Sequence, residues 1–160
     1  MTHGRTLLLA LALLATAAAP ARADATIFIG ANTTPANRST VGAALGTGLL
    51  ILGFEFEYAH TPDAPSVAAP ALTTGSVNVL LQTPTAFFGF QPYATAGTGV
   101  YHETLGSHGD TSLEVNTGGG VKMSLVGPLR LRVDYRVFKL GSGALESHAQ
   151  RIYAGLNLKF

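Results

Sequence analysis

Hydrophobic and polar residues alternate with a period of two along most of the chain. In Arg151–Phe160, the residues Ile152, Ala154, Leu156, Leu158 and Phe160 fall on one face. Arg151, Tyr153, Gly155, Asn157 and Lys159 fall on the other. Successive Cβ atoms of a strand point to opposite faces, so this alternation predicts a strand with two unlike sides. The same pattern predicts eight strands: Ala25–Asn32, Ser39–Leu50, Phe54–His60, Leu72–Thr83, Phe90–Glu103, Thr111–Leu125, Leu129–Leu140 and Ala149–Phe160. Clusters of Gly, Pro, Asn and Asp separate them, and no stretch after Asp24 sustains a helical period, so the chain reads as all-β.

The connections alternate in length. Those near 52, 84–89 and 126–128 read as mostly short turns; those near 35, 61–71, 104–110 and 141–148 read as longer, more polar loops. Pro62, Pro65 and Pro70 bar the second loop from pairing as a strand. Eight alternating strands with short turns at one end and long loops at the other predict a closed antiparallel up-and-down transmembrane β-barrel. A soluble sheet with one solvated face gives a similar alternation, so the register of charges has to decide.

Leu129–Leu140 supplies that register. Leu129, Leu131, Val133, Tyr135 and Val137 share one face; Arg130, Arg132, Asp134, Arg136 and Phe138 share the other. Facing lipid, each arginine costs about 2–4 kcal/mol near the bilayer centre. Three of them cost on the order of 10 kcal/mol, as much as the whole stability of many domains. The arginines therefore point inward. The same phase turns Glu55, Glu57, Glu114, Lys122 and Arg151 inward, predicting a luminal charge network of Glu55, Glu57, Glu114, Lys122, Arg130, Arg132, Asp134, Arg136 and Arg151, because buried charges must be paired. Gly97, Gly99, Gly118, Gly120 and Gly155 fall on the inward side and leave room for large neighbours, predicting a lumen filled by side chains. Phe28, Phe54, Phe87, Phe88, Phe90, Tyr135 and Phe160 lie near strand ends and suit interfacial girdles.

Composition agrees. Only 12% of the 160 residues are charged, far below the usual quarter. Arg5, Leu7–Leu14 and Ala21-Arg22-Ala23 read as the n-region, apolar core and cleavage site of a secretory signal over residues 1–23, leaving a single domain over 24–160. Without Arg5 and Arg22 the balance is 8 basic against 9 acidic residues, or −1, which offers nucleic acid no basic surface. Cysteine is absent, so no disulfide or thiolate metal site is expected.

The signal segment, Gln91–Tyr101, Gly118-Gly119-Gly120, Leu129–Tyr135 and Tyr153–Phe160 together resemble the small outer-membrane β-barrel family of OmpA-, OmpX- and OmpW-like proteins. The resemblance covers essentially the whole chain after residue 23. It implies residence in the outer membrane of a Gram-negative bacterium, contact with outer-membrane lipid and insertion by the barrel-assembly machinery. It also implies that Tyr153, Leu156, Leu158 and Phe160 act as a C-terminal assembly signal. The anchoring role of longer relatives, which carry a peptidoglycan-binding domain, is not expected to carry over.

Little else in the chain carries chemistry. It has no G-x-S-x-G elbow, H-E-x-x-H helix or phosphate-binding loop, and no catalytic residue, cofactor or metal is expected. The role expected is therefore structural or mediated by a partner of the extracellular loops, with narrow solute passage as a weaker variant. Two alternatives remain. One is a periplasmic lipocalin-like barrel with a hydrophobic ligand, which demands an apolar interior. The other is a lipid-modifying enzyme drawing on His102 with Glu103, or on Ser107 with His108. His60, His102, His108 and His148 all map to the long-loop side, where an imidazole cluster could sense acid or bind metal.

Overall fold

The computed structural model describes residues 22–160. Most of the expected signal segment lies outside the described residues; Arg22 and Ala23 already belong to the first strand. Eight strands follow in order: β1 Arg22–Asn32, β2 Arg38–Leu49, β3 Leu52–Thr61, β4 Ala71–Gln82, β5 Phe90–Leu105, β6 His108–Val126, β7 Leu129–Leu140 and β8 His148–Lys159. Each pairs antiparallel with its sequence neighbour, and β8 closes on β1 to complete the ring. The fold is a closed up-and-down barrel.

The strands are staggered. Paired residues run from Pro92 through Val121, Val133, Ala154, Ile29, Val41, His60 and Thr73, and return to β5 at His102, ten residues further along. Such an offset tilts the strands against the axis and sets a bore that side chains can fill. One end carries two two-residue turns, Leu50-Ile51 and Gly127-Pro128, and the connection 83–89, which is longer than the sequence suggested. Leu50, Phe88 and Gly127 adopt positive φ there. Residues 33–37, 62–70 and 141–147 connect strands at the other end, the second with a 3-10 turn at Pro65–Val67.

The connection expected over 104–110 is different. Its polar residues pair as strand up to Leu105↔His108, leaving only Gly106-Ser107 as the turn. Gly106 sits at φ 59°, the left-handed conformation that a two-residue hairpin turn requires. Beyond its last pair with β7, at Glu114↔Leu140, β6 continues through His108–Leu113 as the wall of a tall hairpin. Polarity suggested a loop because a strand outside an apolar environment has no reason to be apolar.

The wall is polarised the opposite way from a soluble protein. Arg132 and Arg136 are fully buried, whereas Ile29 is 70% exposed and Leu45, Phe54, Phe56, Val77, Val79, Leu156 and Leu158 also face outward. Phe28, expected among the outer aromatics, is instead interior. It shares the inward phase of β1 with Thr26 and Asn32, and its ring stacks on Tyr153 with centroids 3.9 Å apart. Gly42 and Gly155 make that space: a Cβ at 42 would lie 2.3 Å from Phe28 Cζ, and one at 155 would lie 2.8 Å from Phe28 Cβ. Phe54, Phe87, Phe88, Phe90, Tyr135 and Phe160 are on the outside.

Candidate functional site

Strands β3 and β7 stand opposite each other in an eight-membered ring, and their inward residues meet across the bore. Arg132 grips Glu55 through both guanidinium Nη atoms, the longer contact being 3.2 Å, and its Nη2 lies 3.0 Å from Asp134 Oδ2. Arg136 donates to Glu55 Oε1 at 2.8 Å and to Asp134 Oδ1 at 3.0 Å, and lies 3.2 Å from Glu57. Arg151, on β8, pairs with Glu57. Three guanidinium groups and three carboxylates thus form one buried, charge-balanced cluster. Forked arginine–carboxylate geometry is the strongest form such contacts take, and pairing offsets the cost of burying the ions.

Two tyrosines complete the cluster. Arg132 Nε donates to Tyr93 Oη at 2.7 Å, and the Tyr93 hydroxyl donates in turn to Asp134. Tyr153 donates to Glu57 Oε2 at 3.1 Å. Arg132 also lies over both rings, 5.0 Å from the Tyr93 centroid and 5.6 Å from that of Tyr153. Tyr93 was absent from the expected network, although it shares an inward phase with Gln91, Gly97 and Gly99. That phase was the available signal.

The remaining charges of the expected network lie elsewhere. Glu114 is held by neutral donors, Ser76 Oγ at 2.5 Å and Asn116 Nδ2 at 3.3 Å. Lys122 and Arg130 turn toward the short-turn end. Lys122 Nζ lies 2.6 Å from Asp24 Oδ2; Arg130 lies 3.6 Å from the same oxygen and donates to Gln91 Oε1 at 2.9 Å. Asp24 faces inward there, which the alternation of β1 permits. These groups line a cavity of about 260 Å³ together with Gly46, Gly48, Gly53 and Gln82.

Toward the long-loop end an apolar cluster sits beside the buried, hydrogen-bonded pair of Thr40 and Thr61. Leu72, Tyr101, Phe138, Leu140 and Ala149 form a buried cluster, with Ala144 of the 141–147 connection packed on it. Arg151 lies over the Phe138 ring at 4.5 Å, joining this layer to the charged one. Above it, buried Glu103 accepts from the Leu145 backbone N–H at 2.6 Å and lies 3.1 Å from His108 Nε2. Arg38 reaches the carbonyls of Thr34, Pro62 and Pro70, tying two loops together.

The other candidates separate. His102 faces outward and Glu103 inward, as adjacent strand residues must, so the two do not form a dyad. His102 Nδ1 instead lies 2.6 Å from Thr111 Oγ1, while His108 is engaged with Glu103. His60 and His148 bond to Thr73 and Ser147. Among the described residues no group of three His, Cys, Asp or Glu could hold a metal ion, and no helix is long and apolar enough to cross a membrane, which says nothing about strands. Of the C-terminal residues, Tyr153 is interior while Leu156, Leu158 and Phe160 line the outer wall. The backbone of Phe160 closes on Ala23 by two hydrogen bonds of 2.9 and 3.0 Å.

No protein-family model matches the chain, and no curated protein matches it. Solved structures do. Neisserial surface protein A is 19% identical with a TM-score of 0.66, the match covering 88% of this chain and 96% of that one. The N-terminal β-barrel domain of Pseudomonas aeruginosa OprF is 17% identical with a TM-score of 0.67, covering 87% and 97%. The outer-membrane enzyme PagL is 14% identical with a TM-score of 0.54, covering 84% and 98%. The chain has the fold of the small eight-stranded outer-membrane barrels.

Proposed function

We propose that the protein is an integral outer-membrane β-barrel of a Gram-negative bacterium, with a structural role or one exerted through its extracellular loops. Its lumen is closed to solutes by side chains. The inverted polarity of the wall carries this reading: ion pairs lie in the bore and bulky apolar side chains cover the outside. A periplasmic carrier of an apolar ligand needs the reverse arrangement. In the outer membrane the short turns face the periplasm and the long loops the exterior. Outer-membrane lipid then covers the apolar wall, and the barrel-assembly machinery recognises Tyr153, Leu156, Leu158 and Phe160 at the closing strand.

PagL shows that this fold also supports an enzyme. We infer a non-catalytic role here, because neither candidate joins a hydroxyl, an imidazole and a carboxylate in one chain of hydrogen bonds: His102 bonds Thr111 but not Glu103, and His108 bonds Glu103 but not Ser107. Replacing His102 by Ala should leave the lipid A profile of the host unchanged; an altered profile would establish catalysis instead. For location, detergent extraction of membrane fractions should yield a band whose gel mobility changes on boiling. Recovery as a soluble periplasmic protein would end the membrane reading.

A further inference from the structure

The connection 141–147 between β7 and β8 reaches inward over the apolar cluster to the inner face of the β5–β6 hairpin. Its base closes with Leu140 N–H on the Ser147 carbonyl at 2.9 Å, and inside it Ala144 N–H reaches the Gly141 carbonyl at 3.2 Å. Further support comes from inward side chains of the hairpin. Fully buried Glu103 accepts the Leu145 N–H at 2.6 Å and is engaged by His108 Nε2 at 3.1 Å. Asp110 stands opposite Glu103 in the register and accepts the Tyr101 hydroxyl. Gly143 lies against that carboxylate, where a Cβ would come within 2.4 Å of Asp110 Oδ1. Gly141 lies against Ser112, where a Cβ would come within 2.8 Å of Oγ. Glycine at both positions lets the backbone of the connection rest directly on the hairpin.

Leu145 shows which part of the connection is held. Its side chain is 46% exposed, so what is anchored is its backbone N–H rather than the side chain. An N–H donated to a carboxylate makes a hydrogen bond roughly twice as strong as one to a neutral acceptor. The connection adds to the cluster of Leu72, Tyr101, Phe138, Leu140 and Ala149 through Ala144, one methyl group. Segments with few buried apolar contacts and few ladder hydrogen bonds open locally at far lower cost than the strands around them. Loss of the Glu103 contact therefore frees the connection while the ladder beneath it, from Lys139↔His148 downward, stays paired.

We propose that the 141–147 connection is a lid over the mouth of the bore and that Glu103 is its latch, a positioning residue acting through the Leu145 N–H. Latched, Ala144 covers the apolar cluster; released, the cluster faces the surrounding water. That this mouth opens outside the cell rests on the membrane reading, whereas the latch itself does not. The chain has no cysteine, so Ala149→Cys places a single thiol in the buried cluster. Barrel extracted in detergent is treated with a water-soluble maleimide in this background, with Glu103 intact or replaced. E103A should raise the labelling rate about tenfold or more, and hydrogen exchange over 141–147 by a similar factor, while mid-strand amides of β7 and β8 keep their rates. E103Q, which keeps the volume and a neutral acceptor, should give a smaller rise in the same direction, and it serves if E103A yields no heat-modifiable barrel. Equal labelling with Glu103 intact and replaced, or exchange that quickens throughout the barrel, overturns the proposal. Labelling of intact cells with a membrane-impermeant maleimide reads the address separately: a thiol that reacts only after lysis leaves the latch standing and sinks the exterior assignment.

Discussion

At the scale of single residues, the interior divides into groups that cannot be spared and groups that can. Glu55 accepts from both Arg132 and Arg136, so replacing it by Gln leaves two buried guanidinium groups short of one negative charge. Removing one partner of a buried ion pair costs about 3–5 kcal/mol. The E55Q barrel should therefore unfold at a lower urea midpoint, with an unfolding free energy reduced by about that amount. Glu114→Gln is the contrast: its hydrogen bonds come from Ser76 and Asn116, which a neutral amide can still satisfy. A loss of roughly 1 kcal/mol is expected there, and equal losses in the two variants would refute the assignment of Glu55 as the hub. Gly120 and Gly75 form a second pair. A Cβ at 120 would sit 2.3 Å from the Val133 carbonyl oxygen and 2.5 Å from the Tyr93 hydroxyl, whereas one at 75 meets nothing within 4 Å. G120A should sharply reduce the heat-modifiable form and G75A should not.

At the scale of elements, β8 brings two functions into one strand. Tyr153 holds Glu57 inside, while Leu156, Leu158 and Phe160 cover the outer wall. If the outer set is read by the assembly machinery, Phe160→Ala should lower the amount of barrel in the membrane of living cells. Its urea midpoint after refolding in detergent should move little, because Phe160 lies outside the buried layers. A parallel fall in both measurements would make Phe160 a stability residue instead. The strands themselves were legible because most of them separate apolar side chains from polar or ionic ones. Arg130, Arg132 and Arg136 alone fixed the phase of β7, and the same phase carried to β3 and β8. Two features were not legible. The hairpin above Thr104 lost its signal because its polar residues no longer contrast with an apolar outer face. Phe28 misled because its aromatic ring suited an outer girdle, although the phase of β1 that it shares with Thr26 and Asn32 points inward; the glycines at 42 and 155 supply the room for it.

At the scale of the whole molecule, the bore is crossed by two layers of different physics, and their order predicts how it responds to damage. The charged layer of Glu55, Glu57, Arg132, Asp134, Arg136 and Arg151 fills the middle, and the apolar layer of Leu72, Tyr101, Phe138, Leu140 and Ala149 lies toward the long loops. If the lumen is closed as proposed, an ion would have to exchange its hydration for fixed charges at one level and shed much of it at the next, since an apolar constriction hinders conduction by dewetting. The two barriers act in series. In planar-bilayer recording the wild-type barrel should therefore show no unitary conductance. Replacing Glu55 and Arg132 together by Ser removes both charges of one pair and widens the middle around Glu57, Asp134, Arg136 and Arg151, yet the rings of Tyr101 and Phe138 still narrow the path. Replacing Tyr101 and Phe138 by Ala leaves the guanidinium–carboxylate cluster intact beneath. Only the fourfold variant should pass discrete current steps, provided that it retains its heat-modifiable form. Conductance in the wild type would make the protein a channel, and conductance in either double variant would show that one layer alone had been holding the bore shut.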